Sequence, residues 1–176
     1  MKKKILLIIS ALMVLAIVFS SSACGRAVEK ITEKAIEKAV ESAAGGNADV
    51  GVDDTGVAIS NEESAVQVGE NATVPEGWPD VVPVSNDIKI QLSSSIKSEG
   101  KTTWFISGIF SSSGEDLYNY YKSQLSSWNV DSDVNSNSEG TKSWTVILSN
   151  DKYTFVAMIT DDGKEDKSIT ISLSEK

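Results

Sequence analysis

Acidic and amide side chains are the residues of this chain whose spacing most invites a chemical reading. Asp131, Asp133, Asn135 and Asn137 alternate with Ser and Val at the spacing of the first ligands of a calcium-binding loop. That loop needs glycine at its sixth position and a bidentate glutamate at its twelfth. Ser136 and Lys142 stand there, so the run reads as a strand end entering a polar hairpin loop. Asp161, Asp162, Glu165 and Asp166 form a second acidic group, in what reads as a solvated hairpin tip. Two carboxylates at a suitable separation suffice for glycoside hydrolysis, but a catalytic acid needs surroundings that tune its pKa. Most acids here fall in turns or at strand ends, where water keeps carboxyl groups ordinary, and nothing singles out a pair. Trp78, Tyr118, Tyr120 and Tyr153 have flat faces suited to a glycan or peptide platform, at spacings that equally suit a core and its rim.

Histidine is absent and Cys24 is the only cysteine. Intrachain disulfides, Cys/His zinc sites, Cys–His dyads and Ser–His–Asp triads are therefore excluded. The sequence has no glycine-rich phosphate loop and no nucleophile elbow, and no catalytic residue, cofactor or metal is expected.

The surroundings of Cys24 give it a different role. Lys2, Lys3 and Lys4 precede an apolar run from Ile5 to Phe19, and the small residues Ser20 to Ala23 lead into Cys24 and Gly25. A basic start, an apolar run shorter than the roughly 20 residues of a spanning helix, and a small-residue site are the marks of a cleaved signal peptide. Ser21-Ser22-Ala23-Cys24 resembles the lipobox of bacterial lipoproteins, with Ser21 where an aliphatic residue is usual. The resemblance implies a diacylglyceryl thioether on Cys24, and a protein held by lipid on the extracytoplasmic face of the cell membrane. The chain has 16 basic and 25 acidic residues, a formal charge of −9; removing Lys2 to Lys4 leaves 13 against 25, or −12. Such a field repels phosphate backbones and anionic head groups, so nucleic acid is not an expected partner.

The elements behind the anchor follow from periodicity. Arg26 to Ala43 reads as a stalk helix, with Glu29, Glu33, Glu37 and Glu41 in one row and Lys30, Lys34 and Lys38 in the next. Gly45-Gly46-Asn47 ends it. Three short alternating runs, Asp49 to Asp53, Gly56 to Ser60 and Ala65 to Gly69, then predict a small β-meander, and Pro75, Trp78, Pro79 and Pro83 an extended joint. The expected organisation is a signal peptide over 1–23, anchor and stalk over 24–46, meander and linker over 47–77, and a globular domain over 78–176.

In that domain Ile88, Ile90 and Leu92 alternate with Asp87, Lys89 and Gln91 as a strand with one buried face. Thr102 to Phe110 predicts a second strand. Ser112 and Glu115 have capping-box spacing for a helix whose apolar stripe is Leu117, Tyr121, Leu125 and Trp128. Strands over Val130 to Val134, Lys142 to Ser149, Lys152 to Thr160 and Lys167 to Ser174 complete an α+β fold, β-β-α-β-β-β-β, with a mostly antiparallel sheet and one helix on one face. The central strands carry apolar residues at both parities. Beside the core set, Phe105, Ile109, Ile147, Val156 and Met158 would point away from the helix, either covered by the meander or available to a partner.

Taken in order, the signal, the Glu/Lys helix, the short β run with acidic turns and the β-rich domain with Tyr120-Tyr121-Lys122 on its helix resemble small lipoproteins of Gram-positive bacteria. The resemblance implies no catalytic residues. The expected function is a non-enzymatic binding module at the cell envelope, tethered to the membrane through Cys24, with an envelope protein or wall component as partner. The alternative is a carboxylate-dependent hydrolase acting on the wall. Replacing Cys24 by Ala is expected to abolish metabolic labelling by a fatty-acid analogue, and labelling that persists in Cys24→Ala would remove the anchor from this reading.

Overall fold

The long alternating runs become long antiparallel strands. The structure, a computed structural model, describes residues 49–53, 55–164 and 167–176. The signal peptide, Cys24 and the stalk helix lie outside the described residues, as do Glu165 and Asp166 of the second acidic group.

Among the described residues nine strands form one antiparallel sheet: β1 (Asp49–Asp53), β2 (Gly56–Ser60), β3 (Ser64–Gly69), β4 (Ile88–Ser98), β5 (Lys101–Phe110), β6 (Asn129–Ser138), β7 (Thr141–Ser149), β8 (Tyr153–Asp161) and β9 (Lys167–Glu175). Their spatial order is β1-β2-β3-β4-β5-β9-β8-β7-β6. One helix, α1 (Gly114–Gln124), leads from β5 across one face to the far edge, from which β6 to β9 return by hairpins until β9 pairs with β5. Two of the hairpin turns place consecutive residues at positive φ, Glu99 with Gly100 and Glu139 with Gly140. Both central residues at positive φ match the right-handed twist of the flanking strands, and glycine takes that conformation without steric cost.

The core lies between α1 and the sheet. Ile106, Tyr121, Val146, Phe155, Ala157, Ile171 and Leu173 have no exposed surface, and the Tyr121 and Phe155 rings are 5.2 Å apart. Leu117, Tyr121, Leu125 and Trp128 are all buried as the stripe predicts, although Leu125 caps the helix and Trp128 follows it. The segment before β4 packs on the same side, with Trp78 donating to the Val82 carbonyl and Trp104 to that of Glu76.

Three local details differ from the sequence reading. Ser113, not Ser112, caps α1: its hydroxyl accepts from the Asp116 amide at 3.1 Å and donates to the Asp116 carboxylate at 2.7 Å. Ser112 is instead held by Asp87, which its amide reaches at 2.9 Å. In β4 the register slips between Ile90 and Leu92, so Ile88 and Ile90 point toward α1 while Leu92 points to the other face, opposite Ser107. One extra residue reverses side-chain parity, and simple alternation cannot anticipate that. Finally, β3 pairs with β4, so β1 to β3 extend the sheet at its edge and do not fold over its second face.

Gly114 seats the start of α1 on the sheet. A Cβ there would collide with the Trp144 ring and come within 2.9 Å of the Asp161 Cβ. Alanine favours helix over glycine by about 1 kcal/mol, whereas overpacking a close contact costs about 1–3 kcal/mol. Gly114→Ala is therefore expected to lower the urea midpoint, against its helix propensity; an unchanged or raised midpoint would show that the seat is loose.

Candidate functional site

The five residues read as a second apolar set do share one face, the one turned away from α1. Cross-strand register places Phe105, Ser172, Val156, Ile147 and Ser132 in one row across β5, β9, β8, β7 and β6. The next row is Ser107, Thr170, Met158, Thr145 and Val134, and the next Ile109, Ser168, Thr160, Ser143 and Ser136. Phe105, Val156 and Ile147 are half-buried by their neighbours, while Ile109 is 41% and Met158 48% exposed. Val66 and Val68 in β3 and Leu92 and Ile96 in β4 continue the apolar character toward the other edge.

Between those apolar residues the face is made of hydroxyls. In β9 all four residues on this side are Ser or Thr: Ser168, Thr170, Ser172 and Ser174. On β4 to β9 the register puts only two charged side chains on this face, Lys89 and Lys101, both near strand ends. Lys89 is paired with Glu70 at 3.6 Å. The hydroxyl stripe was legible in the alternation of Lys167 to Ser174, whose other parity is Ile169, Ile171 and Leu173. Leu92 was not, because the bulge moves it.

Of the acids whose spacing invites a chemical reading, Asp133 and Asp161 are engaged in structure. Asp133 lies in β6, where its carboxylate accepts from the Tyr118 hydroxyl at 2.8 Å and from the Lys122 ammonium at 2.6 Å. Lys122 first, then Tyr118, holds the Asp133 carboxyl below its ordinary range, and the bonds that Lys122 donates to Asp133 and to the Tyr118 hydroxyl raise its own pKa. Asn135 and Asn137 follow in the same strand, opposite Trp144 and Lys142, rather than in a loop, and Asp131 occupies a bulge. Asp161 is 9% exposed and accepts from the Gly114 amide at the start of α1, at 2.8 Å, and from Gly163. The Gly114 bond is the main reason its pKa is lowered. Asp87 accepts from the Ser111 hydroxyl and from the amides of Ser111 and Ser112, which lower its pKa to about 2. Among the described residues no three metal-ligating groups converge.

The aromatic candidates do not assemble into a platform. Tyr118 is buried and stacked on Trp144, Tyr120 meets Tyr121 edge-on, and Tyr153 lies between Trp104 and Trp128. Trp78 packs against the core through its ring, with its indole N–H on Val82. Among the described residues the Ser93 Oγ is buried without a hydrogen-bond partner, and burial pushes the Tyr121 phenol pKa up against the lowering effect of the Ser85 backbone beside it.

No protein-family model matches the sequence, and no curated protein or solved structure matches it.

Asp87, Asp133 and Asp161 carry folded-state pKa values below those of the unfolded chain, so their stabilisation is present above about pH 4 and is lost as pH falls through the folded values. Urea midpoints are expected to fall between pH 5 and pH 2. Asp87→Asn should flatten that fall and lower the urea midpoint at pH 7, because the amide loses the charge that strengthens the bonds from Ser111 and Ser112. A slope identical to that of the parent would show that Asp87 is not linked to folding.

Proposed function

We propose that the protein is a lipid-anchored binding module of the cell envelope, carried on the extracytoplasmic face of the membrane by Cys24, and that it engages its partner through the second face of the sheet. The observation that carries the reading is the chemistry of that face. An acidic chain of net charge −9 presents an apolar and hydroxyl surface centred on Phe105, Ile109, Ile147, Val156 and Met158, with its charges kept to strand ends. Large neutral patches with exposed apolar side chains are characteristic of protein contact surfaces, and charge is depleted at the centres of interfaces. The anchor reading rests on the lipobox-like sequence, and two acyl chains at about 0.8 kcal/mol per buried methylene would hold the module stably.

The hydrolase alternative draws less support. A carboxylic acid that donates a proton to a leaving group needs a raised pKa, and Asp87, Asp133 and Asp161 are all held low by the bonds that tie α1 and β6 in place.

A photo-crosslinking residue at Met158 is expected to yield a discrete heavier product in living cells. The same probe at Lys142, on an exposed position opposite Asn137 on the helix side, is expected to yield none. No product at Met158, or equal products at both positions, would remove the second face as the binding surface.

A further inference from the structure

We infer that the partner of the second face is a second copy of this chain, packed sheet against sheet about a two-fold axis; the inference rests on the binding-module reading and names its partner. Relief is the first reason. The β9 stripe Ser168, Thr170, Ser172 and Ser174 is a shallow trough, flanked on β5 by Phe105 and Ile109 and on β8 by Val156 and Met158. A two-fold axis lying in the interface plane, parallel to the strands between β9 and β8, sets the β8 ridge of one copy over the β9 trough of the other, and a two-fold interface is necessarily a surface meeting itself. Aligned sheets pack in this manner with their strands within about 30° and side chains interdigitated.

Charge is the second reason. Two copies of an acidic protein repel wherever their carboxylates meet, and a basic partner would be drawn to the acidic surfaces instead of this one. The second face is where like copies approach without that penalty, since Lys89 and Lys101 sit near strand ends and Lys89 already has Glu70. Hydroxyls suit self-pairing as well: each Ser or Thr both donates and accepts, so a hydroxyl of one copy can pair with any hydroxyl it meets on the other, which two carboxylates cannot.

Area is the third reason. Six strands, β4 to β9, contribute to the face, and strands of about nine residues at about 3.3 Å each, spaced about 4.8 Å, give a footprint of about 850 Å². A stable specific interface buries about 800 Å² on each partner. Common tethering to one membrane would raise the effective concentration of the two copies further.

The test uses the full-length chain in its membrane. Ser172→Cys, Met158→Cys and Lys142→Cys are each oxidised with copper phenanthroline, with the parental chain controlling for Cys24. Ser172→Cys and Met158→Cys are expected to give at least tenfold more reducible dimer than Lys142→Cys or the parent. Adding Thr170→Glu, which sets like charges in the trough at a half-buried hydroxyl position, is expected to reduce that dimer at least tenfold with the near-ultraviolet circular dichroism unchanged. Dimer that forms equally at Lys142, or that fails to form at either second-face cysteine, overturns the inference. If disulfide dimer is absent while a probe at Met158 captures a product of another mass, only the partner's identity is wrong. If neither forms, the binding-module reading falls with it.

Discussion

One helix can cover only part of one face of a wide sheet, and much of this protein follows from that limit. An 11-residue helix is about 16 Å long, whereas nine strands at about 4.8 Å spread over about 43 Å. Tyr121 resting on Phe155, with both rings wholly enclosed, marks the centre of the covered region. Trp104, Trp128, Trp144 and Val82 extend the cover outward where, among the described residues, no second helix does so. Strands β1 to β3 lie beyond it and are held through their pairing with β4.

The polar bonds serve the same arrangement. Asp161 receives the first amide of α1, Asp87 holds the turn before it, and Asp133 clamps the helix surface to the edge strand β6 through Tyr118 and Lys122. Asp87 and Asp161 satisfy amides that would otherwise be left unpaired where the chain leaves the sheet, Asp133 satisfies side-chain donors of α1, and each is held ionised by doing so. The Lys122–Asp133 bond is partly exposed and contributes little as an ion pair alone; its place beneath the Tyr118 hydroxyl and ring gives it direction. Asp133 and Asp161, two of the acids whose spacing invites a chemical reading, are thus fastenings of the helix.

On the other side of the sheet the same strands present the reverse composition. β9 is central, paired with β5 and β8, and its inward parity is Ile169, Ile171 and Leu173 while its outward parity is entirely Ser and Thr. Alternation in a half-covered sheet sorts residues in this manner. What departs from an ordinary solvated face is the scarcity of charge and the insertion of Phe105, Val156, Ile147 and Met158 between the hydroxyls.

The sequence by itself determined the elements, because strand alternation, helix period and turn residues are local. The three meander strands, α1 and the carboxy-terminal strands all lie within a few residues of their expected places. It also determined that Phe105, Ile109, Ile147, Val156 and Met158 share a parity, since each follows from the two-residue period of its own strand. Tertiary structure decided what local periods cannot carry. The order of strands, with β9 between β5 and β8, depends on contacts between residues some seventy positions apart, such as Thr103 with Ser174. The bulge after Ile90 turned Leu92 to the other face, and pairing of β3 with β4 placed the meander beside the sheet instead of over it. Asp133, fifteen residues from Tyr118, became a clamp instead of a ligand only once β6 was laid against the helix, because which donors a carboxylate meets is settled by packing.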